Sequence, residues 1–164
     1  MKNNAKEAKK NTKEKLPKKK GVFVLKESHD KLLEALGWLY YARCDQLTRL
    51  FYSPAMYTTV STRLKELVEH DYVAYISLTA NGKNAKRIYT LTGKGMSYLK
   101  DTGRLPLERK FEPRNLERSP FFLPHTLDVA DFMIAFSILV ANDERFDIVS
   151  KKHEIDFNRD KRVD

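Results

Sequence analysis

Three stretches of helical periodicity, a switch to period two on either side of an Asn-Gly turn, and a fourth helical stretch together predict an α+β fold. That order of elements is the order of a winged helix-turn-helix: three helices, a two-stranded wing and a fourth helix, with an additional C-terminal apolar helix here. A length of 164 residues fits one such domain with appendages, and 41% hydrophobic residues can supply its core.

Residues 1–27 are expected to be a disordered basic tail. After Met1, Leu16 is the only large apolar residue in the first twenty, so burial cannot offset the entropy of ordering this segment. The winged domain is expected over 28–103. Ser28 can cap a first helix over 29–42, with Asp30 in its first turn and Leu32, Leu33, Leu36, Leu39 and Tyr40 on one face. Asp45 can cap a short second helix with Leu47, Leu50 and Phe51 facing inward, ended by Ser53-Pro54. A third helix starts near Tyr57–Thr59 and carries Val60, Leu64, Leu67 and Val68 as one buried stripe. It is expected to end near His70–Asp71, where a residue tolerating positive φ is wanted.

Tyr72–Leu78 and Arg87–Leu91 alternate as two strands, and the eight residues between them hold the Asn81-Gly82 turn. Thr92 can cap a fourth helix through Met96, Tyr98 and Leu99, with Gly103 as its stop. Residues 104–124, with Pro106, Pro113, Pro120 and Pro124, read as a linker. Residues 125–142 read as a helix apolar around nearly its whole circumference, which must be buried or form an interface. Phe146–Val149 and Glu154–Phe157 read as short strands of a C-terminal α/β region within 125–164.

The formal net charge is +9, and the ten Lys and three Glu of residues 1–27 account for +7 of it, leaving +2 on the remainder. The excess points to a polyanionic partner, but any binding face on the folded part has to come from local clustering. A lone cysteine, Cys44, makes no internal disulfide and fits a reducing, cytoplasmic setting, where its expected role is core packing. The longest apolar stretch, Phe132–Ala141, is too short to span a bilayer. The basic N-terminus has no apolar segment behind it to act as a secretory signal or lipid anchor, so no membrane partner is expected.

A short connection between the second and third helices makes a helix-turn-helix, whose second helix lies in the major groove of double-stranded DNA. Away from its apolar stripe that helix carries Thr58, Thr59, Ser61, Thr62, Arg63 and Lys65, whose hydroxyls and cations donate to base edges and phosphates. The hairpin adds Asn81, Lys83, Asn84, Lys86 and Arg87, a basic loop able to reach the backbone or the neighbouring groove.

The run Thr62-Arg63-Leu64-Lys65-Glu66-Leu67-Val68-Glu69-His70-Asp71-Tyr72-Val73 resembles the recognition helix and following strand of winged-helix regulators of the MarR and PadR kind. Leu91-Thr92-Gly93-Lys94-Gly95-Met96-Ser97-Tyr98-Leu99 resembles their pattern of Leu-Thr, two residues and Gly that opens the helix after the wing. With Asp45-Gln46-Leu47-Thr48-Arg49-Leu50-Phe51, and with His125 followed by Leu127-Asp128-Val129, the ensemble over about residues 29–140 most resembles the replication-relaxation family of plasmids and integrative elements. That resemblance implies sequence-specific DNA binding in the replication or relaxation of a plasmid or mobile element, or in transcriptional control of its genes. It also implies a C-terminal nuclease-like α/β region, of which the last residues here are at most the beginning. The chain departs from the family at Asp71, where Gly is usual.

Two other readings stay open. A winged helix can serve protein interaction without DNA specificity, which the small charge of residues 28–164 allows. The chain can also be the N-terminal part of a nuclease-like protein, with Glu154 and Asp156 alternating on a strand. His125, Asp128 and Asp131 share a helical face, but a cap and local hydrogen bonds explain them, so no metal, cofactor or catalytic residue is expected. Pairing of two copies through residues 125–142 is expected, since winged helices usually read two half-sites.

Overall fold

The computed structural model describes residues 23–78, 86–107, 109 and 122–145. It is α+β, with five α-helices among the described residues and one small antiparallel sheet, an architecture compatible with a winged helix. The helices are α1 (Glu27–Leu39), α2 (Cys44–Phe51), α3 (Tyr57–Glu69), α4 (Gly93–Asp101) and α5 (Leu123–Ala141). The strands are β1 (Ala42–Arg43), β2 (Val73–Leu78) and β3 (Lys86–Leu91), in the spatial order β1-β3-β2.

Helix α1 starts two residues earlier and ends three earlier than the sequence suggests. Ser28 does not cap it. The cap residue is Lys26, whose backbone N–H donates to His29 Nδ1 at 3.0 Å. The helix stops because Tyr40 takes a φ of 64°, a left-handed conformation that cannot continue it. Ala42, expected as the last residue of the helix, and Arg43 after it instead pair with Tyr89 and Ile88 of β3. A strand of two residues is too short to show a period.

Asp45 does not cap α2 either. Its first free donor, the Arg43 N–H, is taken by Gln46 Oε1 at 2.9 Å. The buried Gln46 amide also donates to the Leu127 carbonyl at 2.9 Å, so one side chain closes α2 and fastens α5 to it. A 3-10 turn at Pro54–Met56 leads into α3.

The third helix, the hairpin and the fourth helix follow the sequence closely. Helix α3 buries Val60, Leu64 and Leu67, and Asp71 holds the positive φ of 60° expected after it. Strands β2 and β3 pair from Val73↔Leu91 to Leu78↔Lys86. Thr92 caps α4 by accepting from the Gly95 N–H at 3.2 Å, and its hydroxyl donates to the Asp71 carbonyl. The Asn81-Gly82 turn and both C-terminal strands lie outside the described residues.

The core gathers Leu32, Leu36 and Leu39 of α1, Leu47 of α2, the α3 stripe, Met96 and Leu99 of α4, and Ala130 and Ile134 of α5. Inside it, Asp30 accepts from the Tyr98 hydroxyl at 2.8 Å and pairs with Arg104 Nη2 at 3.1 Å, joining α1 to α4 and the chain beyond.

Two boundaries shift. The folded part reaches back to Phe23, because Leu25 packs on the core and the Phe23 ring lies flat on His70. Just after α4, Leu105 is buried against the core, so the segment from 104 begins attached to the domain.

Helix α5 is buried along one side only. Leu123, Thr126, Leu127, Ala130 and Ile134 are buried, whereas Phe132, Phe136 and Leu139 are 69%, 50% and 61% exposed. At 19 residues α5 is also long and apolar enough, by length and composition, to cross a bilayer, which corrects the inference from Phe132–Ala141 alone. Here one of its faces lies on the domain, and Asp131 pairs with Arg43 at 3.3 Å and with Arg49.

Candidate nucleic-acid interface

Successive residues of a helix lie about 100° apart, and this sorts the polar side of α3 into three strips. Thr58, Thr62 and Lys65 point away from the buried stripe and are exposed. Tyr57 and Ser61 turn toward the sheet. With Arg43, Cys44, Asp45, Lys86, Arg87 and Tyr89 they line a groove of about 510 Å³ between α3 and the base of the hairpin. Thr59, Arg63 and Glu66 turn toward the start of α1.

Of the expected site residues, the groove brings together Ser61, Lys86 and Arg87; Thr58, Thr62 and Lys65 are exposed on the adjoining strip of α3, with Thr59 exposed at its margin. Arg63 lies apart from them. Its guanidinium is partly buried and donates to Glu66 Oε2 at 2.8 Å, an atom that His29 Nε2 also meets at 2.8 Å. Asn81, Lys83 and Asn84 lie outside the described residues.

Sequence reasoning missed Arg43 and the tyrosines of the groove. Arg43 arrives there only because β1 pairs with β3, and that strand carries no sequence signal. Arg43 is partly neutralised, by Asp45 at 3.1 Å and Asp131 at 3.3 Å. Lys65 approaches Glu69 at 3.8 Å between exposed side chains, and Arg87 stacks on the Tyr75 ring with its guanidinium carbon 4.7 Å from the centroid. No side chain caps the N-terminus of α3; the helix runs on from the 3-10 turn, and its first N–H, that of Tyr57, is taken by the Pro54 carbonyl. Hydroxyls, lysines and a stacked arginine are groups that bind phosphate and base edges.

Cys44 is a poor nucleophile. Burial pushes its thiol up from the ordinary value, so it stays protonated and packs. Among the described residues no group of three His, Cys, Asp or Glu side chains is placed to hold a metal ion.

The family model described as replication-relaxation matches residues 36–150, from the last turn of α1 through α5 and beyond. The chain belongs to the replication-relaxation family. No curated protein and no solved structure matches it. The family match takes in the α3 face, the hairpin and α5, so these parts form one family unit, and membership suggests a role in replication of a plasmid or mobile element. The match begins at Leu36, after the His29 contact with Glu66.

In this family member Glu66 gives a pH prediction. The Arg63 guanidinium, and after it His29, hold the Glu66 carboxyl below its ordinary value of 4.5, against the effect of burial. A carboxyl lowered by folding stabilises above its unfolded value, and that contribution is lost as pH falls through the folded value. Glu66→Gln should therefore cost stability at neutral pH, and the cost should shrink as urea midpoints are followed from roughly pH 6 down to 3. A cost that grows on acidification would contradict this account of the cluster.

Proposed function

We propose that this replication-relaxation protein binds double-stranded DNA, with α3 in the major groove and the base of the hairpin against the backbone beside it. One observation carries the reading. Thr58, Thr62 and Lys65 stand exposed on α3, next to a groove whose rim holds Lys86 and Arg87. A helix packed under the rest of the monomer could not enter a groove, and among the described residues the outward strip of α3 is uncovered.

The exposed strip Phe132, Phe136 and Leu139 supports pairing of two copies through α5, which would set two such helices on two half-sites. Sedimentation at tens of micromolar should then give twice the mass of the chain, and a monomer would remove this part of the proposal. In this reading the protein is a cytoplasmic binding protein and not an enzyme, acting on the replication or the transcription of its element.

Fluorescence anisotropy of a labelled duplex, titrated with the full chain at rising salt, tests the proposal. Binding should weaken steeply, with a logarithmic slope of about −0.9 for each phosphate neutralised. The ion pairs of Arg43 and Arg63 favour the rival reading, a protein-interaction module, and absence of binding even at low salt would establish that reading instead.

A further inference from the structure

Three cations and one carboxylate line the groove beside α3, and the carboxylate holds one of the cations. Arg43 Nε donates to Asp45 Oδ1 at 3.1 Å, and its Nη2 donates to Asp45 Oδ2 at 3.3 Å. Two parallel bonds from one edge of a guanidinium are also the way arginine takes a phosphate. Asp45 therefore occupies the edge of Arg43 that a DNA phosphate would use. Arg87, by contrast, stacks on the Tyr75 ring. Arg43 Nη2 also reaches Asp131 Oδ2 of α5 at 3.3 Å, and Arg49 of α2 donates to the other oxygen of that carboxylate.

Both carboxylates can release Arg43 at small cost. The Asp45 side chain is 60% exposed, so without its partner it is solvated by water. It is not needed to cap α2, because Gln46 Oε1 accepts from the Arg43 N–H. Asp131 keeps its contact with Arg49. No carboxylate is left buried and unpaired, so release costs no more than breaking exposed ion pairs. The destination is also in place, since Ser61, Lys86 and Arg87 line the same groove and would draw a phosphate into it.

Resting on the DNA-binding reading above, we propose that Arg43 is a phosphate ligand of the interface and that Asp45 competes with the duplex for it. In the free protein Asp45 stands in for the phosphate. In the complex the Arg43 guanidinium turns to the DNA backbone and Asp45 turns to solvent. The exchange needs a phosphate seated in the groove, so Arg43 contributes when α3 is docked and not in looser encounters with a polyanion.

A double-substitution cycle tests this, read by anisotropy of a labelled duplex that the full chain has selected from a random pool. Asp45→Asn should tighten binding at about 0.15 M salt, by up to about fivefold, the value of an exposed pair no longer broken. Arg43→Met, which keeps the apolar stem, should weaken binding and lower the salt slope by about 0.9, one phosphate contact. In the Arg43→Met chain the gain from Asp45→Asn should shrink, because the group it released is gone. Arg43→Lys serves where the methionine chain does not fold. Lysine keeps the charge but cannot hold Asp45 by two parallel bonds, so the gain should shrink there too. An equal gain from Asp45→Asn in every background would mean that Asp45 acts through its charge alone, and would overturn the proposal. An Arg43→Met chain with unchanged affinity and salt slope would overturn it as well. Absence of binding by the unsubstituted chain would overturn the DNA-binding reading itself.

Discussion

Replacing Lys65, Lys86 and Arg87 together by Ala is expected to weaken duplex binding on the order of a hundredfold at 0.15 M salt, and to flatten the salt slope by nearly 3. All three side chains are exposed, and none belongs to the core. The contacts they lose are an exposed pair with Glu69 at 3.8 Å and a stacking contact on Tyr75, each on the order of 1 kcal/mol or less. Stability should therefore change little while affinity falls far. Replacing Arg49 and Arg104, equally basic but paired away from the α3 face, removes charge elsewhere and serves as the comparison. Equal loss of affinity from both sets would mean that bulk charge alone is read.

Gly95→Ala is expected to cost about 3 kcal/mol of stability or more, read as a fall in the urea midpoint. A Cβ on Gly95 would stand 2.2 Å from the Tyr72 carbonyl oxygen, which is backbone and cannot swing aside. The same oxygen accepts from the Thr92 N–H at 3.1 Å, so moving it disturbs the cap that starts α4. Helix propensity favours Ala over Gly by about 1 kcal/mol, which is too little to offset the clash. Gly37→Ala supplies the contrast. Its Cβ would meet Leu105 Cδ1 at 2.8 Å, the end of a flexible side chain, so the clash is relieved by a rotamer change. A similar, small cost at both positions would contradict the close seat of α4 on the start of β2.

Gly95 was readable in the sequence only by its place in the family pattern, since it makes room for the distant Tyr72 carbonyl, whereas the Thr92 cap was readable because its demand is local, a hydroxyl one turn from the Gly95 N–H. The α3 stripe and the alternation of β2 and β3 were readable for the same reason, since each spans enough residues to show its period. Three other features were not. Ala42–Arg43 becomes a strand only when β3 is beside it. The caps of α1 and α2 come from His29 and Gln46, one turn inside each helix, and Ser28 and Asp45 look like better caps on residue type alone. Arg63, the most obvious base reader by residue type, is drawn to Glu66 by a contact that helical spacing permits but does not require. The corresponding gain is Arg43, which tertiary pairing brings into the groove.

The central claim is that the outward face of α3 and the base of the hairpin meet the duplex. Amide chemical shifts of the isotope-labelled full chain, followed while duplex is added, locate that surface directly. The largest changes are expected at Thr58, Ser61, Thr62, Lys65 and Arg87, with Leu32, Leu36 and Leu99 in the core little affected. Changes confined to residues 1–22 or to the exposed strip of α5, with the α3 face silent, would contradict the account.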